Sequence, residues 1–353
     1  MRAALNTAIA TVLLASVHPA YAVLTLTPAG IALGFTASTF VSGLPDIVTE
    51  GPFGLALTGN GNVLVSDVAN ATRYVFADVD NQTPANSLFT TPSSSSGQGY
   101  ASGVGAAYGG NGSTFVRFNE DGTAGPALVP TVTPGLGITA NPSTGHLIAT
   151  SSAGLIDIDP IANTFRVIKS AIGSSADGVS LSPDGSVAYV GFYSTGHVIG
   201  YRVSDGTVVF DSGNIGHFPD GTGVIVSNNS LNGKIVVNGE DGNVLLLDPT
   251  AAPGSFTIIA TEGGQRGDYV APDRSNGTLL LDSSIEVDRL ACGAGCAIGS
   301  TPTPVTSVPE PSTYASLLGG LTLLACWLRR QSRTLESVRR RRHGSLLANT
   351  AMA

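Results

Sequence analysis

Asp177, Asp220 and Asp268 stand in the steps Ala176-Asp177-Gly178, Pro219-Asp220-Gly221 and Gly267-Asp268-Tyr269, each at the head of an apolar run. Glu50 holds a comparable place, slightly earlier, in Glu50-Gly51-Pro52-Phe53-Gly54. Carboxylates are hard oxygen donors. If the runs they head meet at one mouth, these four suit Ca²⁺ or another divalent cation. A cation held there polarises an ester or lactone carbonyl, or activates water. The competing reading is local: Asp-Gly is a common turn dipeptide whose carboxylate bonds nearby backbone amides. The chemistry therefore depends on a fold that brings the four together.

Other reactive residues are few. Cys292 and Cys296 lie in Ala-Cys-Gly-Ala-Gly-Cys, and Cys326 is the third cysteine. The pair allows a small disulfide in an oxidising compartment, two free thiols, or part of a metal site with no further ligands nearby in sequence. His146, His197 and His217 fall in or near turns; only His217, three residues before Asp220, is placed as a channel histidine. Arg266-Gly267-Asp268 is read as a chance match to an adhesion tripeptide in a turn leading into a strand. No nucleophile elbow, zincin helix, phosphate loop, EF-hand or dinucleotide fingerprint occurs.

The elements that must position these groups are strands. Gly 45 and Pro 20 among 353 residues, with 12% charged residues, suit short strands and tight turns better than helices. One unit recurs: a glycine, an apolar strand, a turn rich in Gly or Asn, and a second apolar strand. Copies begin at Gly54, Gly135, Gly178, Gly223 and Gly267, with a degenerate one at Gly103. A third strand follows (residues 154–160, 197–203 and 242–249), and then a fourth (165–170, 207–212 and 256–261). A period in the forties with about four strands per unit predicts an all-β chain folded as a β-propeller. Six copies predict six blades, with seven as an alternative and a β-sandwich as the competing fold. Residues 23–45 are expected to supply a strand that closes the ring.

Both ends read as targeting segments. Arg2, the apolar run 3–17 and the small residues Ala20 and Ala22 describe a secretory signal cut before Val23; a core helix is the alternative. Residues 301–308 form a Thr/Pro linker. Tyr314 to Leu328 are almost wholly apolar and end at Arg329, Arg330 and Arg333. Fifteen helical residues span about 22 Å, so flanking side chains must extend the reach across a membrane. The arginines would stay on the cytoplasmic side. Residues 334–353 are expected to be a basic, disordered tail. Between the ends, residues 23–308 hold nine basic and 23 acidic side chains, a net of −14, which excludes a nucleic-acid partner.

Two resemblances follow from these residues. Val308, Pro309, Glu310 and Pro311, followed by the apolar helix and arginines over 309–333, resemble the PEP-CTERM sorting signal. That resemblance implies a bacterial exported protein handled by the Sec export machinery and an exosortase. It further implies anchoring in the inner membrane during transit, then a place at the cell surface or in an exopolysaccharide matrix. The family signal normally ends the chain, whereas some 20 residues follow here; an ordinary tail anchor is the alternative. The body over 45–290, and Gly54-Leu55-Ala56-Leu57-Thr58-Gly59-Asn60-Gly61 above all, resembles NHL and gluconolactonase-type propellers. In the latter, an Asp or Asn step and a Glu in an EGP step hold a divalent metal. Asp177, Asp220, Asp268 and Glu50 match that pattern, while Pro134-Gly135 lacks the Asn expected there.

The function expected from sequence is a surface or matrix protein whose propeller (23–300) is a binding or structural module. The alternative is a metal-dependent hydrolase of lactone or ester type using Glu50, Asp177, Asp220 and Asp268. A binding module would present aromatic residues at the mouth, where Tyr269 and Phe53 qualify.

Overall fold

The computed structural model describes residues 24–44, 51–93, 98–262 and 267–299. The signal-like segment with Ala20 and Ala22, Glu50, the linker and the tail (Val308 to Pro311, Arg329, Arg330, Arg333) lie outside the described residues. Among the described residues, six antiparallel sheets succeed one another along the chain. Blade 1 is built from Pro52–Leu57, Val63–Asp67, Thr72–Phe76 and Phe89–Pro92, paired in chain order from inside to outside. The innermost strands of blades 2 to 6 are Tyr100–Gly103, Pro134–Ala140, Ala176–Leu181, Pro219–Ser227 and Gly267–Asp273. Each packs on the innermost strand of the next blade, and that of blade 6 returns to blade 1. The ring is a six-bladed β-propeller; a closed ring of sheets is not a sandwich.

Burial follows the position of a strand in its blade. Pro52–Leu57 and Ala176–Leu181 are buried at every residue, whereas the outer strand Thr164–Lys169 is mostly exposed. Inner strands therefore read as unbroken apolar or small-residue runs, because both faces meet neighbouring blades. Those faces form the core: Phe40, Phe53, Leu55, Val65 and Leu280 pack where blades 6 and 1 meet. The hairpins carry the expected turn chemistry. In Ser182-Pro183-Asp184-Gly185, the Asp184 carboxylate accepts from the Ser182 hydroxyl at 2.6 Å and the Ser186 N–H at 3.0 Å, and Gly185 takes φ +72°.

The N-terminal segment closes the ring. Thr36–Val41 pairs with Val287–Ala291 as the outermost strand of blade 6. Just before it, Thr25–Leu26 adds to the outer edge of blade 5, pairing with Ala260 and Thr261. Between them lies a five-residue helix, Pro28–Ala32, whose Thr27 hydroxyl accepts from Gly30 N–H at 3.1 Å.

Three repeat boundaries need correction. The innermost strand of blade 2 starts at Tyr100, so Gly99, not Gly103, is the recurrent glycine there. In blades 3 and 5 the equivalent glycines are Gly137 and Gly221, not Gly135 and Gly223. The inner strands of blades 1, 3, 4, 5 and 6 shift register around this point. A bulge adds a residue without adding a strand, so sequence spacing counted to the wrong glycine.

Candidate functional site

A Cβ at Gly54, Gly99, Gly137, Gly178 or Gly221 would strike the carbonyl oxygen of Gln98, Leu136, Asp177, Asp220 or Asp268, respectively, in the next blade. Only glycine permits that approach. The residues ahead of these five glycines, with Asp268 ahead of Tyr269 in blade 6, therefore form one ring: Phe53, Gln98, Leu136, Asp177, Asp220 and Asp268. Half of the ring is acidic and half is not. Asp177, Asp220 and Asp268 fall on three successive blades and are 2%, 1% and 3% exposed. Glu50 lies outside the described residues, while its neighbour Gly51 packs on Ser284 of blade 6.

In blade 6 Tyr269 replaces the glycine, and its side chain crosses the ring. Its hydroxyl proton is shared between the carbonyls of Ile138 at 2.6 Å and Tyr100 at 3.0 Å, in blades 3 and 2. Its ring stacks on Phe53 with centroids 6.0 Å apart. Burial first, opposed by the Ile138 bond, and then the charges of Asp177 and Asp282 push its phenol far above the ordinary value. Tyr269 and Phe53 are thus buried structural residues, not an exposed platform for a ligand. The expectation of aromatics displayed at the mouth is corrected accordingly.

Among the described residues, no three His, Cys, Asp or Glu side chains form a set able to hold a metal ion. Asp268 therefore does not complete a site with Asp177 and Asp220. It is allied instead to a second acidic group that sequence reading missed, at the seam of blades 5 and 6. Glu262 follows the outer strand of blade 5 and is 1% exposed; Asp288 is 1% and Glu286 is 6% exposed. Burial, then the charges of Asp288, Glu286 and Asp268, push the Glu262 carboxyl well above the carboxylate range, against the Asn238 amide. Burial and then Asp288 push Glu286 up to about 7. Burial pushes Asp288 up to about 6, opposed by the Thr39 hydroxyl and the Leu24 N–H. The Asn238 amide donates to the carbonyls of Asp268 at 3.2 Å and Asp282 at 3.0 Å, tying the two blades. A sequence signal existed: Glu286 and Asp288 alternate along the chain and so share a strand face.

No family model matches the chain, and no curated protein does. Solved structures do. A gluconolactonase from Xanthomonas campestris is 15% identical with a TM-score of 0.53, over 76% of this chain and 96% of that one. A candidate gluconolactonase is 16% identical with a TM-score of 0.53, over 76% and 97%. A virginiamycin B lyase from Staphylococcus aureus is 12% identical with a TM-score of 0.48, over 73% and 99%. The likeness is one of fold.

The remaining candidates have structural roles. His146, His197 and His217 each hold an aspartate of their own blade through Nδ1: Asp157 at 2.8 Å, Asp211 at 2.7 Å and Asp241 at 2.6 Å. His217 also meets the edge of Phe256, with centroids 4.9 Å apart. Cys292 and Cys296 form a disulfide with Cα atoms 5.6 Å apart. Asp268, the last residue of the Arg266-Gly267-Asp268 tripeptide, is buried, and Arg266 lies outside the described residues. Arg289 ties blade 6 to blade 1. It donates to Asp78 at 2.6 Å, Asp80 at 2.9 Å and Thr278 at 2.9 Å, and pairs with the fully buried Asp273.

Proposed function

We propose that this chain is an exported propeller hydrolase of lactone or ester type, dependent on a divalent cation held by Asp177 and Asp220, with Glu50 as the third ligand. One observation carries the reading: Asp177 and Asp220 occupy equivalent, buried positions in adjacent blades, with the Gly178 backbone packed directly on Asp220. The donor set fits a hard cation, since it consists of carboxylate oxygens. Such a cation, when bound, supplies Lewis-acid polarisation of a carbonyl. The protein residues would orient it; Tyr269, bonded across the ring to the Ile138 carbonyl, lies close enough to Asp177 to feel its charge. The gluconolactonase fold of the neighbours and the EGP and DG steps support the same reading. Export rests on the signal-like residues 1–22.

The test is a thermal melt of the processed chain in EDTA and in millimolar Ca²⁺, Mg²⁺, Mn²⁺ or Zn²⁺. Saturation to a hundredfold over Kd adds about 2.7 kcal/mol, or roughly 5 °C for a domain of this size. The rise should vanish in Asp177→Asn/Asp220→Asn, and lactone or ester hydrolysis should vanish with it. No shift with any of the four metals would sink the hydrolase reading.

A second reading then stands on the Val308-Pro309-Glu310-Pro311 tail: a matrix-binding module sorted by an exosortase, retained first at the inner membrane and then in exopolysaccharide. Co-sedimentation with purified exopolysaccharide, unaffected by EDTA or the double substitution, would support it.

A further inference from the structure

We propose that Arg274 is the receptor of a binding site for a small oxyanion, a carboxylate or a phosphate, at the opposite end of the innermost strands from the acidic ring.

Arg274 directly follows the innermost strand of blade 6, Gly267–Asp273. Its side chain leaves its own blade. One terminal nitrogen donates to the carbonyl of Ala140 at 2.8 Å, and Ala140 ends the innermost strand of blade 3. Blades 6 and 3 stand opposite in a ring of six, so the guanidinium lies across the ring. Tyr269 makes a similar crossing nearer the strand heads, to the carbonyl of Ile138. Carbonyls two residues apart share a strand edge and lie about 6.6 Å apart. Asp268 stands near the head of the strand that Arg274 follows, and six extended residues separate the two by roughly 20 Å. The acidic ring and Arg274 are therefore separate sites.

The crossing leaves the cation without a counter-charge. A guanidinium carries five N–H donors. The one acceptor it meets, the Ala140 carbonyl, is neutral. Its Nε is buried with no hydrogen-bond partner. Among the described residues no carboxylate forms an ion pair with Arg274. Burial alone acts on the guanidinium and pulls it down to about 10, so it stays ionised at neutral pH. Carboxylates are nonetheless close at hand. Asp273, its neighbour in the chain, accepts from Arg289, Ser275 and Asn276. Asp78 accepts from Arg289 and Ser275. Burial acts against the charge of Arg289 too, but Asp273 and Asp78 outweigh it and hold that guanidinium above its ordinary value. Two arginines of one blade thus differ: Arg289 takes three carboxylates and Arg274 takes none.

A charge withdrawn from water without a partner is unfavourable, and an incoming anion relieves that cost. The planar fork, with its Nε–H unused, matches the paired oxygens of a carboxylate or a phosphate. Arg274 stays partly exposed, which leaves a small ligand a way in. Tying blade 6 to blade 3 does not itself call for a cation, since the Tyr269 hydroxyl does so as a neutral donor.

The experiment melts the processed chain at pH 7 in EDTA, so that no metal at the acidic ring takes part. Chloride is replaced stepwise by inorganic phosphate or by acetate at constant ionic strength. The melting temperature should rise and saturate, by about 5 °C at a hundredfold excess over Kd. A rise with phosphate alone assigns a phosphate ligand, and one with acetate alone a carboxylate. Arg274→Gln should keep only the unsaturable rise that phosphate gives folded proteins in general. Arg274→Lys keeps the charge, loses the fork, and should bind about tenfold more weakly. Asp177→Asn/Asp220→Asn should respond as the parent does. A direct readout holds even if Arg274→Gln folds poorly: the anion should shift one arginine Nε–H resonance by NMR, the one missing from Arg274→Lys. No saturable rise and no shifted resonance with either anion would overturn the proposal. So would a rise undiminished in Arg274→Gln, or an offset between parent and variant that is the same in every anion, which would make Arg274 a strap and nothing more.

Discussion

Tyr269→Ala should lower the melting temperature by about 8 °C, the largest effect expected of any single substitution in the inner ring. Truncating a buried aromatic costs about 3–5 kcal/mol. Here the ring spans the axis, stacks on Phe53 and abuts Gly99 of blade 2, so collapse around the void is hindered by six rigid blades. Two carbonyls, of Ile138 and Tyr100, also lose their shared donor. For a domain of this size, about 5 kcal/mol converts to roughly 8 °C. Tyr269→Phe separates the contributions: it keeps the ring and removes the donor, and should cost about 1–3 kcal/mol. If calorimetry finds both variants within a degree of the parent, Tyr269 does not brace the ring.

Arg289→Met should be nearly as damaging at pH 7, for an electrostatic reason. The guanidinium holds Asp78, Asp80 and Asp273, and lies over the Phe40 ring at 5.1 Å. Asp80 also accepts from Ser38 of the closing strand at 2.6 Å, and Asn81 and Gln82 bond the backbone of Thr39 and Phe40. The network therefore clamps the closing strand between blades 6 and 1. Removing one partner of a buried pair costs about 3–5 kcal/mol, because the other charges stay buried. Burial and then Asp273 already raise Asp78 above the usual range even with Arg289 present. Without the cation, Asp78 holds its proton in the folded state still more strongly than in the unfolded one. The defect should thus grow as pH rises from about 4 to 7 and be small at pH 4. Arg289→Met/Asp78→Asn/Asp273→Asn should recover much of the loss at pH 7. A defect equal at pH 4 and pH 7 would mean that methionine's packing, not charge, is at fault.

The repeat was legible because it is local. Gly54 to Asp67 and Gly178 to Phe192 show two apolar runs around a turn, and backbone sterics and turn chemistry are written residue by residue. From that period came the propeller, its six blades and the closing strand at residues 36–41. Asp177, Asp220 and Asp268 were equally visible as a recurrent step. What the step becomes depends on neighbours distant in the chain. Asp268 and Asp288 both act on Glu262 because blades 5 and 6 meet there, and one acidic residue does not announce which others will share its burial. Tyr269 looked like a mouth aromatic and is a brace, since whether a side chain at a strand head points to water or across the axis is decided by ring closure. The charge of Glu286 or Arg289 is a property of its residue type. Its worth is set by desolvation and by the distances that only the assembled blades impose.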